Sequence, residues 1–529
     1  MAINWPSLGQ GAATGTTYTA PAPGSNVWTW SGYAWGSRGT TAVGGFGAPW
    51  VIFESSGRAK AYADLPTAIS NANTGDTINL FNDTREYPTV GNYIVFDLDL
   101  NINLNGHTYI LDLGYNPWIG SANIITNNLN QVKVRISNGT IKLTNVSSDS
   151  YAHLIGETRM GTPSISCEWN FYSATFEVDS GFGDVGRFRS PVSGGTFYNS
   201  GNGRGVVLVT SQVSGVTKNV FRDITATADN NTAIEILGGS NETTSFFINC
   251  KGYSNVYSEV DNFAGIVIEG NSFSGYTNNE YRLVGSLGAN IAEGQEGIGY
   301  GIMTFALPTK VIHSFGHSYN GAGIYTAEST LIHCTGDGLN INAGSSFFSL
   351  GGSVLRRCNS GSNLNVIGYR STGLLIGNVI GDKVENCNFN GTYGMYGPGG
   401  DSGNFINIFN CTIRGRYNGI YYRDAGYKTY IINSSIGPKA SRTVPEFGNT
   451  LIPIYTGGTG SIIVNNLLEG GSDEWSIRNG TYAPLQTIRI LIAGNTCINT
   501  KGISPVGGLI SQGMTVTRDN QNVIYGQPL

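Results

Sequence analysis

Two carboxylates in similar short segments are the first candidates for chemistry. Glu235 lies in "AIEILG" and Glu269 in "GIVIEG", and both segments alternate residue types as strands do. Cleavage of a glycosidic bond usually uses two carboxylates, about 5 Å apart for retention of configuration or roughly 6.5–9.5 Å apart for inversion. If the segments are neighbouring strands, the two side chains share a face and can meet either distance. Glu235 and Glu269 are therefore the predicted catalytic pair, with ordinary surface acids as the alternative.

A row of aromatic, amide and acidic side chains is the second candidate site, and it predicts a groove for an extended glycan. Sugar rings stack on flat apolar faces, and their hydroxyls need polar partners. Tyrosine is also favoured on sheets in general, and such a row would equally suit contact with another subunit. The predicted glycan-binding residues are Tyr325, Tyr396, Tyr421, Asn340, Asn365, Glu328 and Asp424.

A repeat must position these side chains. Stretches that begin at His333, Asn386 and Asn410 share a Cys as second residue, followed by Gly and an aliphatic residue. Their alignment gives a column with steps of 24, 29, 24 and 23 residues, made of Cys334, Cys358, Cys387, Cys411 and Ser434. The column before it holds His333, Arg357, Asn386, Asn410 and Asn433, with Asn249 and His313 as earlier members. An aliphatic column follows, of Ile266, Ile324, Leu339, Leu364, Met395 and Ile420. A fixed period of this size indicates stacked structural units.

The segments between the columns predict short strands joined by tight turns. "GIVIEGNSF" and "FINIFN" alternate apolar residues with Gly, Asn and Ser, and helical periodicity is nearly absent. Coils of roughly 20 to 30 residues would then stack with a rise of about 4.8 Å. Because side chains alternate along a strand, the residue after each column aliphatic should face solvent. Those residues are Glu235, Val267, Met303, Tyr325, Asn340, Asn365, Tyr396 and Tyr421.

One short helix is predicted at the start of the coils. "YADLPTAISNANTGDTINL" (residues 62–80) predicts a helix from Leu65 to Asn73, with Asp64 as N-cap, that covers the open end of the strand stack. The pattern "AI..A..GDTI.L" before the coils resembles the pectate-lyase-like right-handed β-helix family. The resemblance spans roughly residues 57–500 and implies an all-β, right-handed parallel β-helix; it concerns the fold only.

A second, fainter resemblance concerns Asp337. "TGDGLNI", Thr335 to Ile341, resembles the Asn-Thr-Asp-Gly segment of polygalacturonases, and "FGHSYNG" partly resembles their Gly-His-Gly segment. Their Gly-Asp-Asp segment is missing, and a Gly-Asp-Gly turn explains Asp337 more simply. His313 and His333 share a column with Asn, so we predict stacked turn residues there rather than bases or ligands.

The first fifty residues differ from the rest. Five of the eight Trp fall there, within Gly-, Ala- and Thr-rich sequence that lacks the coil pattern: Trp5, Trp28, Trp30, Trp35 and Trp50. This predicts a separate module at 1–50, a β-helix body at 51–450, and final coils with a cap or assembly region at 451–529. The module is similar to Trp-rich N-terminal segments of phage virion appendage proteins, which implies that it anchors the body to a particle.

Composition narrows the function classes. With 76 Gly, 12% charged residues and a net charge of −5, the chain has no basic block, so neither nucleic acid nor a membrane surface is a predicted partner. No run of about 18 apolar residues predicts a membrane span. Seven Cys without a CxxC spacing favour reduced thiols, and neither zinc, calcium nor a cofactor is predicted. The N-terminal sequence lacks a secretion-signal pattern, so we expect synthesis in a host cytoplasm.

These features together predict a phage virion appendage, a tail spike or a head or tail fibre, that recognises host surface glycan. The alternatives are a glycan depolymerase of the same architecture and a purely structural virion protein. The resemblance to tail spikes implies a homotrimer, which would bury apolar residues that a single solenoid exposes.

Overall fold

The computed structural model of the 529-residue chain describes residues 17–19, 27–30, 35–38, 48–53, 59–89, 93–114, 123–127, 132–148, 150–157, 168–210, 218–238, 244–256, 263–269, 280–292, 299–305, 309–319, 321–338, 345–349, 353–360, 372–376, 382–397, 405–422, 428–438, 454–456, 461–469, 477–479, 489–498, 515–518 and 523–525. They belong to two compact units, Met1–Asn230 and Asn231–Leu529. The boundaries at residues 50 and 450 stay predictions.

The first unit contains one helix, α1 (Leu65–Ser70), among its described residues. Its strands are β1 (Thr17–Thr19), β2 (Val27–Trp30), β3 (Trp35–Arg38), β4 (Trp50–Phe53), β5 (Ala59–Tyr62), β6 (Thr77–Leu80), β7 (Thr84–Glu86), β8 (Ile94–Phe96), β9 (Leu100–Asn103), β10 (Thr108–Asp112), β11 (Asn123–Asn127), β12 (Lys133–Thr144), β13 (His153–Gly156), β14 (Glu168–Val178), β15 (Gly186–Phe188), β16 (Val192–Asn199), β17 (Val206–Val209), β18 (Lys218–Arg222) and β19 (Thr225–Ala228).

Most strands of the first unit pair in parallel. One series runs β6–β9–β12–β14–β16–β18, a second β7–β10–β12–β14–β16–β19, and a third β8–β11–β13–β15–β17. β12, β14 and β16 are long enough to belong to two series. Antiparallel pairs occur only before the coils in the described residues: β1–β2–β3, and β4 with β5 and β6. Each described coil thus contributes a strand to up to three parallel sheets.

The predicted cap helix is confirmed, although it ends earlier than expected. Asp64 accepts a hydrogen bond from the Thr67 backbone N–H at 2.7 Å, as an N-cap does. The buried Glu86 carboxylate then ties the helix to the first coils, because it accepts bonds from the Leu65 N–H (3.0 Å), the Trp50 indole (2.9 Å) and the Tyr109 hydroxyl (2.6 Å). Burial, and then the charge of Glu86, raises the pKa of Tyr109 well above its ordinary value, so the phenol remains a donor.

The second unit consists of strands in its described residues. They are β20 (Ile234–Leu237), β21 (Thr244–Ile248), β22 (Lys251–Ser254), β23 (Phe263–Glu269), β24 (Glu280–Val284), β25 (Leu287–Asn290), β26 (Gly299–Thr304), β27 (Thr309–Ile312), β28 (Phe315–Ser318), β29 (Ala322–Thr326), β30 (Thr330–Ile332), β31 (Thr335–Gly338), β32 (Ser345–Ser349), β33 (Val354–Arg356), β34 (Asn359–Ser360), β35 (Thr372–Ile376), β36 (Asp382–Glu385), β37 (Asn388–Gly397), β38 (Phe405–Phe409), β39 (Thr412–Tyr422), β40 (Lys428–Ile432), β41 (Ser435–Pro438), β42 (Ile454–Thr456), β43 (Ser461–Val464), β44 (Leu467–Glu469), β45 (Ile477–Asn479), β46 (Arg489–Ala493), β47 (Thr496–Ile498), β48 (Thr515–Arg518) and β49 (Val523–Tyr525).

Three parallel sheets run the length of this unit. Sheet 1 is β20–β23–β26–β29–β32–β35–β37–β39–β42–β45. Sheet 2 is β21–β24–β27–β30–β33–β36–β38–β40–β43–β46–β48. Sheet 3 is β22–β25–β28–β31–β34–β37–β39–β41–β44–β47–β49. The chain visits the sheets in this order once per coil, so the predicted fold class, an all-β right-handed parallel β-helix, is confirmed.

The turn between sheets 2 and 3 explains the aligned columns. One residue per coil there has a positive φ between 49° and 61°, and the residues are Asn249, Gly285, His313, His333, Arg357, Asn386, Asn410, Asn433, Asn465 and Gly494. Asn and Gly tolerate this left-handed conformation best, so a single residue turns the chain from one sheet to the next. The next residue points inward and is 0–2% exposed: Cys250, Ser286, Ser314, Cys334, Cys358, Cys387, Cys411, Ser434, Asn466 and Asn495.

Hydrogen bonds join this inward column from coil to coil. The Cys250 N–H donates to Ser286 Oγ at 3.1 Å, and the Cys411 N–H donates to Ser434 Oγ at 3.1 Å. The Cys387 thiol lies 3.4 Å from the Leu355 carbonyl, to which it donates. The five Cys of the column are free thiols, so the prediction of a reduced ladder is confirmed for them.

Candidate functional site

An outward ladder on sheet 1 contains four of the nine predicted site residues. The strand register aligns Glu235, Val267, Met303, Tyr325, Phe348, Leu375, Tyr396 and Tyr421 in consecutive coils. We call this row the sheet-1 ladder. The sequence alignment assigned two of these ladder positions to Asn340 and Asn365, but in the structure Phe348 and Leu375 occupy them. Asn340, Asn365 and Asp424 lie outside the described residues, as do Leu339 and Leu364 of the aliphatic column.

The first half of the sheet-1 ladder is buried, so the expectation of solvent exposure is wrong there. Glu235 is 5% exposed, Val267 2%, Met303 1% and Tyr325 8%. Apolar contacts surround Tyr325, whose ring centroid lies 4.8 Å from that of Tyr300 and 4.9 Å from that of Phe348. Burial, and then the neighbouring Tyr325, raises the pKa of Tyr300 to about 12. Strand alternation placed these side chains on the outer side correctly, but there Val267, Met303 and Tyr325 form a buried apolar cluster with Ala264, Tyr300 and Ala322, against which Phe348 packs.

The last two residues of the sheet-1 ladder are half-buried tyrosines. The ring centroids of Tyr396 and Tyr421 are 5.5 Å apart with planes inclined by 3°. Tyr393 completes the group, at 5.3 Å from Tyr396 and 5.4 Å from Tyr421. We call these three residues the tyrosine cluster. Because parallel rings at this separation are offset and partly cover each other, only part of each ring face is available to a ligand.

The predicted carboxylate pair lies on neighbouring strands of sheet 1. Glu269 pairs with Leu237, two residues beyond Glu235 on β20, so the two carboxylates share the outer side. Strand spacing and rise place their Cα atoms about 8 Å apart. Glu269 is half-buried, whereas Glu235 is almost fully buried. The two side chains are near enough to act together, but Glu235 is poorly accessible to a polymer.

Glu328 lies away from the sheet-1 ladder. It is exposed and follows β29, and its φ of 50° belongs to a turn. Its side chain therefore projects from the edge of sheet 1 rather than from the row that contains Tyr325. The sequence alignment missed Phe348 and Tyr393; the paired aromatics of "SSFF" and the Tyr three residues before Tyr396 were the available signals.

The two segments that resemble polygalacturonases come together on the outer side of sheet 3. His317 pairs in register with Asp337, and His317 Nδ1 lies 3.1 Å from Asp337 Oδ2. Both side chains are partly exposed, at 26% and 19%. The Gly-Asp-Gly turn proposed for Asp337 is wrong, because Thr335–Gly338 is a strand. Its glycines serve close packing: a Cβ on Gly336 would lie 2.1 Å from the Ser346 carbonyl oxygen.

His313 and His333 are turn residues, as predicted. Their rings stack with centroids 4.8 Å apart and planes inclined by 16°, and both have left-handed φ values. His333 Nε2 also lies 3.3 Å from an Arg357 guanidinium nitrogen in the next coil. In the described part of the chain, no three His, Cys, Asp or Glu side chains gather as a metal site would need. The one helix found among those residues is too short to cross a membrane.

No known protein family matches the chain, and no curated protein matches it by sequence. Among solved structures, a chain in the cryo-EM structure of the Vag8–C1 inhibitor complex is similar at a TM-score of 0.36. The two chains are 10% identical, over 84% of this chain and 99% of that chain. A similarity at this level carries no information about function.

Proposed function

We propose that this chain is the β-helical body of a phage virion appendage, a tail spike or fibre, that binds host surface glycan at the tyrosine cluster. The observation that carries the proposal is the change along the sheet-1 ladder. Tyr325 is buried, whereas Tyr396 and Tyr421, at the same position of later coils, are half-buried. Aromatic rings beside hydroxyl groups offer a glycan both apolar contact and hydrogen bonds. Attachment to other virion proteins through residues 1–50 belongs to the same proposal.

The proposal predicts that each tyrosine contributes to glycan binding. We expect Tyr396→Ala and Tyr421→Ala each to weaken binding by about 1 kcal/mol, roughly a fivefold rise in Kd, because a stacked ring is lost. The probes are purified bacterial O-antigen and capsular polysaccharides, first screened on an array and then titrated by calorimetry. Tyr421→Phe separates ring contact, which it retains, from hydroxyl hydrogen bonding, which it removes.

Tyr430→Ala is the matched control. Tyr430 is also a half-buried tyrosine on an outward face, but it lies on sheet 2, away from the tyrosine cluster. Glycan affinity should be unchanged in this variant. Wild-type protein that binds none of the polysaccharides, or binding that survives both cluster substitutions, would refute the proposed site.

A glycan depolymerase is the second candidate function, and the His317–Asp337 pair favours it. A carboxylate at hydrogen-bond distance fixes the orientation of an imidazole, as a general acid or base needs. The Glu235 and Glu269 pair is the competing catalytic set.

Reducing-end release from a bound polysaccharide tests this second function. If the His317–Asp337 pair performs the reaction, His317→Gln should lower reducing-end release at least about 100-fold while glycan affinity is retained. If the Glu235 and Glu269 pair performs it, Glu235→Gln and Glu269→Gln should each have that effect instead. Glu328→Gln, on an exposed turn, is the control. If the wild-type protein releases no reducing ends from a glycan that it binds, it is not a depolymerase of that glycan.

A further inference from the structure

An exposed aromatic ring lies at the edge of the buried half of the sheet-1 ladder. Phe305 follows β26 and is 37% exposed, and its ring centroid lies 5.3 Å from that of the buried Tyr325. Glu269 is its neighbour in the coil before, because the Phe305 N–H donates to the Ile268 carbonyl at 2.9 Å. Glu269, Phe305 and Tyr325 thus belong to three consecutive coils on the outer side of sheet 1. We call these three residues the Phe305 patch.

The Tyr325 hydroxyl lacks a protein partner. The residue is 8% exposed, and its ring packs against Tyr300, Phe305 and Phe348. In the part of the chain that the structure describes, no group hydrogen-bonds to this hydroxyl, and its oxygen is not fully enclosed. Burial raises the pKa of Tyr325, so the phenol keeps its proton and can donate it. A ligand oxygen that accepts this bond would remove the cost of a largely buried donor without a partner.

The Glu269 carboxylate is the second polar group of the Phe305 patch. Glu269 is half-buried, and it takes part in no hydrogen bond or ion pair among the described residues. Two other half-buried acids of the same unit differ from it, since Glu280 and Glu385 each pair with two basic side chains. The Phe305 patch therefore offers an acceptor on one side of an apolar ring and a donor on the other.

We propose that the Phe305 patch binds the acetamido group of an N-acetylated sugar. This group carries an N–H donor, a carbonyl acceptor and a methyl group. Glu269 can accept from the N–H, Tyr325 can donate to the carbonyl, and the ring of Phe305 can pack against the methyl group.

The spacing of the two polar groups favours an acetamido group over a sugar hydroxyl. Glu269 and Tyr325 are two coils and two residues apart, which places their Cα atoms about 12 Å from each other. The N–H and the C=O of an amide point in opposite directions, so their two partners lie about 8 Å apart. A hydroxyl that both donates and accepts holds its two partners within about 6 Å. Side chains of this length therefore reach both ends of an acetamido group more easily than one hydroxyl.

The inference rests on the proposed function and names the class of sugar. Four steps of strand pairing separate β26, next to Phe305, from β37, which contains Tyr396 of the tyrosine cluster. This separation is about 19 Å. An extended glycan along the outer side of sheet 1 can therefore contact both the tyrosine cluster and the Phe305 patch.

Calorimetric titration of the full-length chain with two tetrasaccharides tests the inference. The β1,4-linked tetramers of N-acetylglucosamine and of glucose differ only at C2, where one has an acetamido group and the other a hydroxyl. We expect the acetylated tetramer to bind about tenfold more tightly, because it gains two hydrogen bonds and an apolar contact. Tyr325→Phe, which removes a single oxygen, should lower this ratio at least about threefold. Glu269→Ala and Phe305→Ala should lower it as well.

Two further variants serve as controls. Glu269→Gln keeps an oxygen that accepts from the N–H, so it should retain most of the ratio that Glu269→Ala loses. Tyr430→Phe makes the same change as Tyr325→Phe on the outer side of sheet 2 and should leave the ratio unchanged. Thermal unfolding of each variant establishes that the β-helix is retained.

Three results would overturn the inference: equal affinity for the two tetramers, binding of neither, or a ratio that survives Tyr325→Phe, Glu269→Ala and Phe305→Ala. The tyrosine cluster is judged separately, because Tyr396→Ala with Tyr421→Ala should weaken the binding of both tetramers and leave their ratio unchanged. A ratio of one together with cluster-dependent binding would refute the Phe305 patch and leave the proposed function standing.

Discussion

Ile420→Asp should destabilise the β-helix by several kcal/mol. Ile420 is completely buried, and it pairs in register with Met395 in the coil before and Ile454 in the coil after. A carboxylate at this position would be buried without a partner, which costs several kcal/mol even after relaxation. Each coil is stabilised mainly by its two neighbours, so the loss of one coil removes contacts from both. Denaturant unfolding followed by circular dichroism measures the effect.

Thr412→Asp is the control for this experiment. Thr412 lies on the same strand, β39, but its side chain is exposed, so the new charge remains in water. Its unfolding curve should stay close to that of the wild type. If Ile420→Asp unfolds like Thr412→Asp, the inward assignment of the aliphatic column is incorrect.

Asp382→Asn should remove part of the pH dependence of the unfolding free energy. Asp382 is 1% exposed, and its Oδ1 accepts bonds from Ser349 Oγ (2.9 Å) and the Ser353 N–H (3.0 Å). Burial raises the pKa of this carboxyl from its ordinary 3.8 to about 6, against the lowering effect of those two bonds. A proton is therefore held more tightly in the folded state than in the unfolded chain.

The direction of the pH effect follows from this pKa. The contribution of Asp382 to stability is fully present below about pH 4 and is lost as the pH rises through about 6. A difference of one in pKa corresponds to about 1.4 kcal/mol, so the loss amounts to about 3 kcal/mol at neutral pH. The Asn variant, which cannot ionise, should avoid that loss.

Unfolding free energies measured between pH 4 and pH 8 check this expectation. Glu328→Gln, the same carboxylate-to-amide change at an exposed position of the same unit, is the matched control. An Asp382→Asn profile parallel to that of the wild type would mean that the Asp382 carboxyl titrates normally in the folded protein.

The sequence determined the coil repeat and the turn that produces it. An Asn or His before a small residue marked the single left-handed residue between sheets 2 and 3, because few residue types tolerate that conformation. The inward small column, the inward aliphatics Ile266, Ile324, Met395 and Ile420, and the N-cap at Asp64 followed from local chemistry. These features depend on residues that are close together in the sequence, so they can be predicted from one amino-acid sequence.

The sequence alignment failed where the number of residues between the strands of sheet 3 and sheet 1 changes. In β37 and β39 one long strand belongs to both sheet 3 and sheet 1, so Met395 and Ile420 follow their Cys closely. After Cys334 the chain completes β31 in sheet 3 before it reaches β32 in sheet 1, and the inward residue there is Phe347 rather than Leu339. Coil length varies without a local signal, so Phe348 and Leu375 were missed.

Accessibility was decided by the tertiary structure alone. "GIYT" around Tyr325 and "GIYY" around Tyr421 are nearly the same segment, in the same sheet and on the same side, yet Tyr325 is 8% exposed whereas Tyr421 is half-buried. Alternation along a strand determines the side to which a residue points. Whether water reaches that side depends on the side chains of neighbouring coils, such as Tyr300 and Phe348 against Tyr325. The distance between His317 and Asp337, which are twenty positions apart, likewise depends on the pairing of neighbouring coils.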